Sequence, residues 1–205
     1  ISVSAFLLNR SSDLSLATEE VICNKCNFHL PRTGLAKDAY NNVMAKLFWG
    51  RLPVERASAL FYYEGHSETA NIIYQLKYKG HPEIGYIMGR MVAKEFMCDD
   101  FFDGIDGIVP VPLTKDRFKA RGYNQSEEIA KGISEITGLP IYNDLVKRTV
   151  FQGSQTRKSR WERNDNVEHV FTANKPIPAR LKHLLVVDDV KLRSEERFSR
   201  NAETD

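Results

Sequence analysis

Two adjacent carboxylates, Asp188 and Asp189, follow directly on the apolar run Leu184-Leu185-Val186-Val187. Neighbouring acids repel each other unless they face water, a metal or hydroxyl donors. At the end of a strand such a pair can accept hydrogen bonds from the two vicinal hydroxyls of a ribose, and it equally suits a solvated acidic turn or a helix cap. A second candidate is the stretch from Leu113 to Gln125, which places Lys115, Arg117, Lys119 and Arg121 between an apolar segment and the start of a helical pattern. Cations beside the free backbone N–H groups of a helix start make a phosphate or diphosphate site; without that ligand the stretch is a solvated basic loop. A third runs from Gln155 to Asn164 and holds Arg157, Lys158, Arg160, Trp161 and Arg163. It can be a lid closing over an anionic substrate, a single-stranded DNA surface on which Trp161 stacks a base, or a surface loop that Trp161 pins to the core. Cys23 and Cys26, with His29 three residues on, have half the spacing of a zinc site. Residues 1–22 contain no Cys or His to complete it, so Zn²⁺ requires His66, His81 or Cys98 to fold back. Cys98 is otherwise expected in the core, and His169 and His183 are read as structural.

Positioning these groups falls to a pattern of alternating strands and helices. Residues 1 to about 54 are rich in turn formers, among them Pro31, Gly34, Asn41, Asn42 and Pro53, and predict an irregular segment. The run from Ala57 to Tyr63 reads as a strand. Ser67 then caps a helix carrying Ala70, Ile73, Leu76 and Lys77 on one stripe, with Gly80 ending it. Pro82 suits a first helical position, and Ile84, Ile87, Met88, Met91, Val92 and Phe96 continue the 3.6-residue period. Gly107 to Pro112 is a short apolar strand whose prolines force a loop at its carboxyl end. Asn124 or Ser126 caps the next helix, which buries Ile129, Ile133 and Ile136 and closes at Gly138. His183 to Val187 reads as a fully buried parallel strand. In open parallel sheets ligands bind beyond the carboxyl ends of strands, where both the acidic pair and the first basic stretch fall.

Bulk properties bound the reading. A chain of 205 residues with 42% hydrophobic and 27% charged residues is that of a globular protein. No apolar stretch reaches the roughly 20 residues that span a bilayer, so no membrane partner is expected. The formal net charge of +2 is too small to attract nucleic acid by bulk electrostatics, and affinity for a polyanion must come from local clusters. Three cysteines cannot make a disulfide framework, and the N-terminus lacks a signal-peptide pattern, which points to the cytoplasm. The chain begins with Ile1, consistent with a start inside a longer product.

Several motifs in order carry a family resemblance: Cys23-x-x-Cys26 with Leu30-Pro31, Gln75-Leu76-Lys77-Tyr78-Lys79-Gly80, Val109-Pro110-Val111-Pro112-Leu113, and Arg121-Gly122-Tyr123-Asn124-Gln125-Ser126. Gln155-Thr156 with Arg160 and Arg163-Asn164, then Val186-Val187-Asp188-Asp189-Val190, complete the set. From about Val21 to Val190 the chain resembles the ComF family of competence proteins, within the type I phosphoribosyltransferase class, and the same order is similar to the transferase core of amidophosphoribosyltransferase. The resemblance implies an α/β fold, a twisted, mainly parallel sheet flanked by helices. It further implies a phosphoribosyltransferase-like domain over residues 55–190, after a segment (1–54) with a partial zinc-ribbon-like Cys pair and before a charged tail (191–205). It implies catalytic roles for Asp188, Asp189 and Arg121, with the acidic pair on the ribose hydroxyls. Lys115, Arg117 and Arg121 would lie in a diphosphate loop, and Arg157, Lys158, Arg160 and Arg163 in a flexible lid. Phosphoribosyl diphosphate or a nucleotide, with Mg²⁺, is the implied ligand. The alternative is a non-catalytic module that binds single-stranded DNA or partners a competence helicase.

Two departures stand out. The family's acidic pair precedes a Thr/Gly-rich turn that holds a 5′-phosphate, whereas here Val190 is followed by Lys191-Leu192-Arg193-Ser194-Glu195-Glu196-Arg197. That change of composition predicts a truncated or altered C-terminus and puts transfer activity in question. At the other end the first Cys pair is replaced by Leu7-Leu8-Asn9-Arg10-Ser11-Ser12, which leaves the ribbon incomplete.

Overall fold

The computed structural model describes residues 22, 24–63, 67–148 and 170–189. In chain order these form α1 (Asn24–His29), a 3-10 turn (Leu35–Asp38), α2 (Val43–Lys46), α3 (Glu68–Tyr78), α4 (Pro82–Phe96) and a 3-10 turn (Met97–Asp99). Then follow β1 (Gly107–Pro110), α5 (Lys115–Arg121), α6 (Gln125–Thr137), β2 (Val146–Arg148), β3 (Phe171–Ala173) and β4 (Leu184–Val187). The architecture is mixed α/β, with helices around a small parallel sheet. No helix among the described residues is long and apolar enough to cross a membrane.

The helices form where local chemistry directs. The Ser67 hydroxyl accepts from the Ala70 N–H at the start of α3, and Pro82 occupies the first turn of α4. Asn124 caps α6 by accepting from the Ser126 N–H, and Gly138 ends it in the left-handed region at φ 73°. The centre of the molecule is the α4–α6 crossing, which only glycine permits. A Cβ on Gly89 would lie 2.0 Å from the Ile129 carbonyl oxygen, and one on Gly132 would lie 2.0 Å from that of Tyr86. The backbones therefore touch, and α4 buries residues on two sides. Ile84 and Ala93 join Leu76, Ile108, Ile129, Ile133 and Val187 in one apolar cluster. Ile87 and Phe96 join Leu30, Ala36, Ala39, Leu60 and Phe101 in the other.

That second cluster draws in Ile22 and residues 30–39, and short helical turns stand among the turn formers of the described residues 24–54. Asn42 organises them: its Oδ1 accepts from Met44 N and Ala45 N at the start of α2, while its Nδ2 donates to the carbonyls of Leu35 and Ala57. Arg56 donates to the Phe101 and Asp103 carbonyls and lies over the Tyr40 ring. The expected strand at 57–63 is not assigned as a strand: Phe61 makes an antiparallel bridge to Arg32, and Tyr63 is a second bridge residue. Among the described residues the segment's backbone hydrogen bonds go to Pro31, Thr33 and Ala39.

In the parallel sheet β1 pairs with β4 from Gly107↔Leu184 to Pro110↔Val187. On the other side of β1, Ile108 makes a single parallel bridge to Ile141. The Asp106 carboxylate sets the register by accepting from the N–H groups of Lys182 and His183. These bonds hold its carboxyl below the ordinary aspartate range, the His183 N–H contributing most. Two expectations change here. The strand begins at Leu184, not His183, and β4 is not buried on both sides: Val187 is 7% exposed but Val186 is 65% exposed. A separate antiparallel pair, β2 with β3, is largely exposed. Cys98, expected in the core, is exposed, with its thiol directed at the Lys94 carbonyl.

Candidate functional site

The carboxyl ends of β1 and β4 lie side by side, and Val111 N donates to Val187 O just beyond them. Asn124 ties this rim to α6, because its Nδ2 donates to the Val111 carbonyl while its Oδ1 caps the helix. Asp188 and Asp189 emerge from β4 at this point. The Ser126 hydroxyl donates to Asp188 Oδ1 at 3.0 Å, and the Asp189 N–H donates to the same oxygen at 2.9 Å. Asp189 Oδ2 pairs with Lys77 Nζ of α3 at 2.5 Å and accepts a long hydrogen bond, 3.4 Å, from Gln125 Nε2. Helix α3 is held close by the Tyr123 hydroxyl, which donates to the Leu76 carbonyl.

Electrostatically the two acids differ. The Asp188 carboxyl is raised above the ordinary aspartate range, first by burial, then by the charge of Asp189 beside it. Asp188 as a residue is on the exposed side, so the loss of water is local to the carboxyl turned toward the buried Ser126. The Ser126 and Asp189 N–H hydrogen bonds oppose the shift without cancelling it. Asp189 has a cation at contact distance, and its side chain is only 9% exposed. No described N–H or O–H donor reaches Asp188 Oδ2 or Asp189 Oδ1. Gln125 Oε1 is also buried with no hydrogen-bond partner. Two acceptor positions at this rim, Asp188 Oδ2 and Asp189 Oδ1, are therefore open to hydroxyls, water or a cation.

Asp188 and Asp189 are among the residues lining a cavity of about 180 Å³ bounded by α3, α4, α6, β4 and the segment 58–63. Its walls are mainly apolar, with Tyr62, Ile72, Met88 and Val92 prominent. None of the residues from Leu113 to Arg121 lines it. The sequence places those cations in a loop facing the acids, but the structure folds Lys115–Arg121 into α5. Thr114 caps that helix, accepting from the Arg117 N–H, and Gly122 ends it at φ 84°. Lys, Arg, Phe and Ala are adequate helix formers once a cap is present, and the basic composition masked that signal. Lys115 and Arg117 are exposed on α5, and the Arg121 guanidinium lies over the Tyr78 ring. The cation that meets the acidic pair is instead Lys77. Arg157, Lys158, Arg160, Trp161, Arg163 and Cys23 lie outside the described residues, as does the side chain of Cys26. No cluster of three or more His, Cys, Asp or Glu suited to a metal occurs among the described residues.

Over 122 residues the chain is 30% identical to the DNA utilization protein YhgH of Escherichia coli K12, a match covering 58% of this chain and 53% of that protein. The protein of the same name from Salmonella typhimurium is 27% identical over the same length and shares. Competence protein F of Haemophilus influenzae is 32% identical over 88 residues, 42% of this chain and 38% of that protein. The chain thus spans about half the length, or less, of these curated relatives. No protein-family model matches the chain, and no solved structure matches it. The similarity supports a ComF-like family over the matched part.

Proposed function

We propose that the rim formed by Asp188, Asp189, Ser126, Gln125 and Lys77 binds a phosphorylated ribose, as phosphoribosyl diphosphate or a nucleotide, in a protein serving DNA utilisation and competence. The observation that carries this reading is the acidic pair at the carboxyl end of a parallel strand, with open acceptor atoms on both carboxyls and a buried, unpartnered Gln125 Oε1 beside them. A sugar with vicinal hydroxyls supplies two donors to such a surface. The adjoining apolar cavity suits a flat, weakly polar group such as a base. The DNA-related context comes from the printed names of the relatives.

Mg²⁺ fits this donor set, since it binds through one or two carboxylates and takes its remaining oxygens from substrate phosphates and water. Asp188 and Asp189 would hold it, and it would neutralise charge on a departing diphosphate. On this reading the chain acts as a phosphoribosyltransferase. The anomeric C–O bond breaks, diphosphate leaves with the electron pair, and an acceptor nucleophile bonds to the ribose. Lys77 orients Asp189 through the ion pair, and Ser126 orients Asp188. Isothermal titration of phosphoribosyl diphosphate in Mg²⁺ tests the reading. Wild type is expected to bind, and Asp188→Asn combined with Asp189→Asn to abolish the heat; unchanged binding by that variant overturns the assignment.

A further inference from the structure

The cavity beside the acidic rim is small, aromatic and without positive charge. It holds about 180 Å³, and an apolar cavity of roughly 150 Å³ takes up one benzene ring. A single ring with a small substituent fits, whereas pockets for larger ligands begin at about 300 Å³. Phe61, Tyr62, Phe96 and Phe101 contribute aromatic walls, and Met88 and Val92 line the same space. No Lys, Arg or His is among the described residues that line it; its charged groups are Asp188 and Asp189. Lys77 pairs with Asp189 but is not part of the lining. A ligand in this space therefore meets carboxylate oxygens and finds no cation. An anionic ring would lose its water and gain a like charge, whereas an amino group can donate toward the open acceptor oxygens. Val186, 65% exposed, also lines the cavity, so the space reaches solvent beside the rim.

We propose that this cavity is the acceptor site of the transfer reaction and takes a single aromatic ring bearing one amino group and no acidic group. The proposal rests on the phosphoribosyl reading above and narrows its acceptor. The ring packs among the aromatic walls, and its nitrogen is held at the rim, next to the ribose. In the transfer, the nitrogen lone pair forms the bond to the anomeric carbon and the anomeric C–O bond breaks. Diphosphate leaves with the electron pair, and the proton shed by nitrogen passes to water. Carboxylated rings are rejected, because no cation in the lining can pair with them.

Aniline and 4-aminobenzoate, which differ by one carboxylate, are the probes, and the methionine methyl groups are the reporters. Met44 and Met88 line the cavity, while Met91 and Met97 do not. In ¹³C-methyl methionine NMR of the full chain, aniline is expected to shift the Met44 and Met88 signals saturably and to leave Met97 in place. A Kd of about 1 mM is expected for a ligand of this size. The same concentrations of 4-aminobenzoate should shift neither signal. Val186→Phe adds bulk from an exposed lining position and should abolish the aniline response. The ring site is overturned by silent Met44 and Met88 signals, by an equal response to both probes, or by an unchanged response in Val186→Phe. With phosphoribosyl diphosphate and Mg²⁺ present, aniline should raise diphosphate release above that with 4-aminobenzoate. Saturated Met88 shifts without that increase overturn the acceptor role. Should phosphoribosyl diphosphate give no heat while aniline still shifts Met44 and Met88, the ribose reading falls and the acceptor role with it, but the ring site stands. The two failures are thereby told apart.

Discussion

The α4–α6 crossing and the β4 rim are built on opposite principles. At the crossing close packing dominates: Gly89 and Gly132 let two backbones touch, and Ala93, Ala130 and Ile133 fill the remaining space at 0–2% exposure. At the rim, a strand bonded to a neighbour on one edge carries an exposed Val186, two adjoining carboxylates and a buried amide oxygen with no donor. Stability resides in the first region, and unmet chemical demand in the second. Such a division is expected where a rigid scaffold presents a ligand site.

The contrast breaks most sharply at the crossing. Gly89→Ala places a methyl group against the Ile129 carbonyl, which as backbone cannot move aside, so α4 and α6 must separate. A loss of about 3 kcal/mol is expected, roughly 6–12 °C in Tm for a chain of this size, and urea unfolding measures it. At the rim the effects are smaller and differ in sign between neighbours. Asp189→Asn leaves Lys77, 21% exposed at its side chain, beside a neutral amide. The expected cost is about 2 kcal/mol, below that of breaking a fully buried pair. A double-mutant cycle with Lys77→Met should recover part of it, and additive losses would show that the pair is not coupled.

Asp188→Asn is the smallest change and the most informative. Because its folded carboxyl lies above the ordinary range, the Asp188 contribution to stability is fully present below the unfolded value and is lost as pH rises through the folded one. At neutral pH its ionisation therefore opposes folding. The asparagine variant, whose Oδ1 can still accept from Ser126 and Asp189 N, is expected to melt above wild type at pH 7. That advantage should shrink as pH falls into the ordinary aspartate range. A variant that melts lower at every pH would place Asp188 with the packed scaffold instead.

How much of this was legible in the sequence follows the range of the interactions. The bounds of α3, α4 and α6 could be read because Ser67, Pro82, Asn124 and Gly138 act within a turn of where they stand. Helix α5 had equally local signals in Thr114 and Gly122, but its charge drew attention to a phosphate loop. The apolar, aromatic run at 57–63 has strand composition, yet a strand needs a partner along its length, and among the described residues the short stretch 31–33 supplies only a bridge and a few hydrogen bonds. The acidic pair announced itself by following four apolar residues. Its partners did not, because Ser126 and Gln125 lie 62 and 64 residues away and Lys77 sits on another helix. Only folding brings them together.

The central claim is that Asp188 spends stability to bind a sugar, and it can be tested with two melting curves per protein. Wild type should melt higher when phosphoribosyl diphosphate and Mg²⁺ are added. Asp188→Asn should melt above ligand-free wild type and gain nothing from the ligand. An asparagine variant that shows the full wild-type ligand shift would contradict the account.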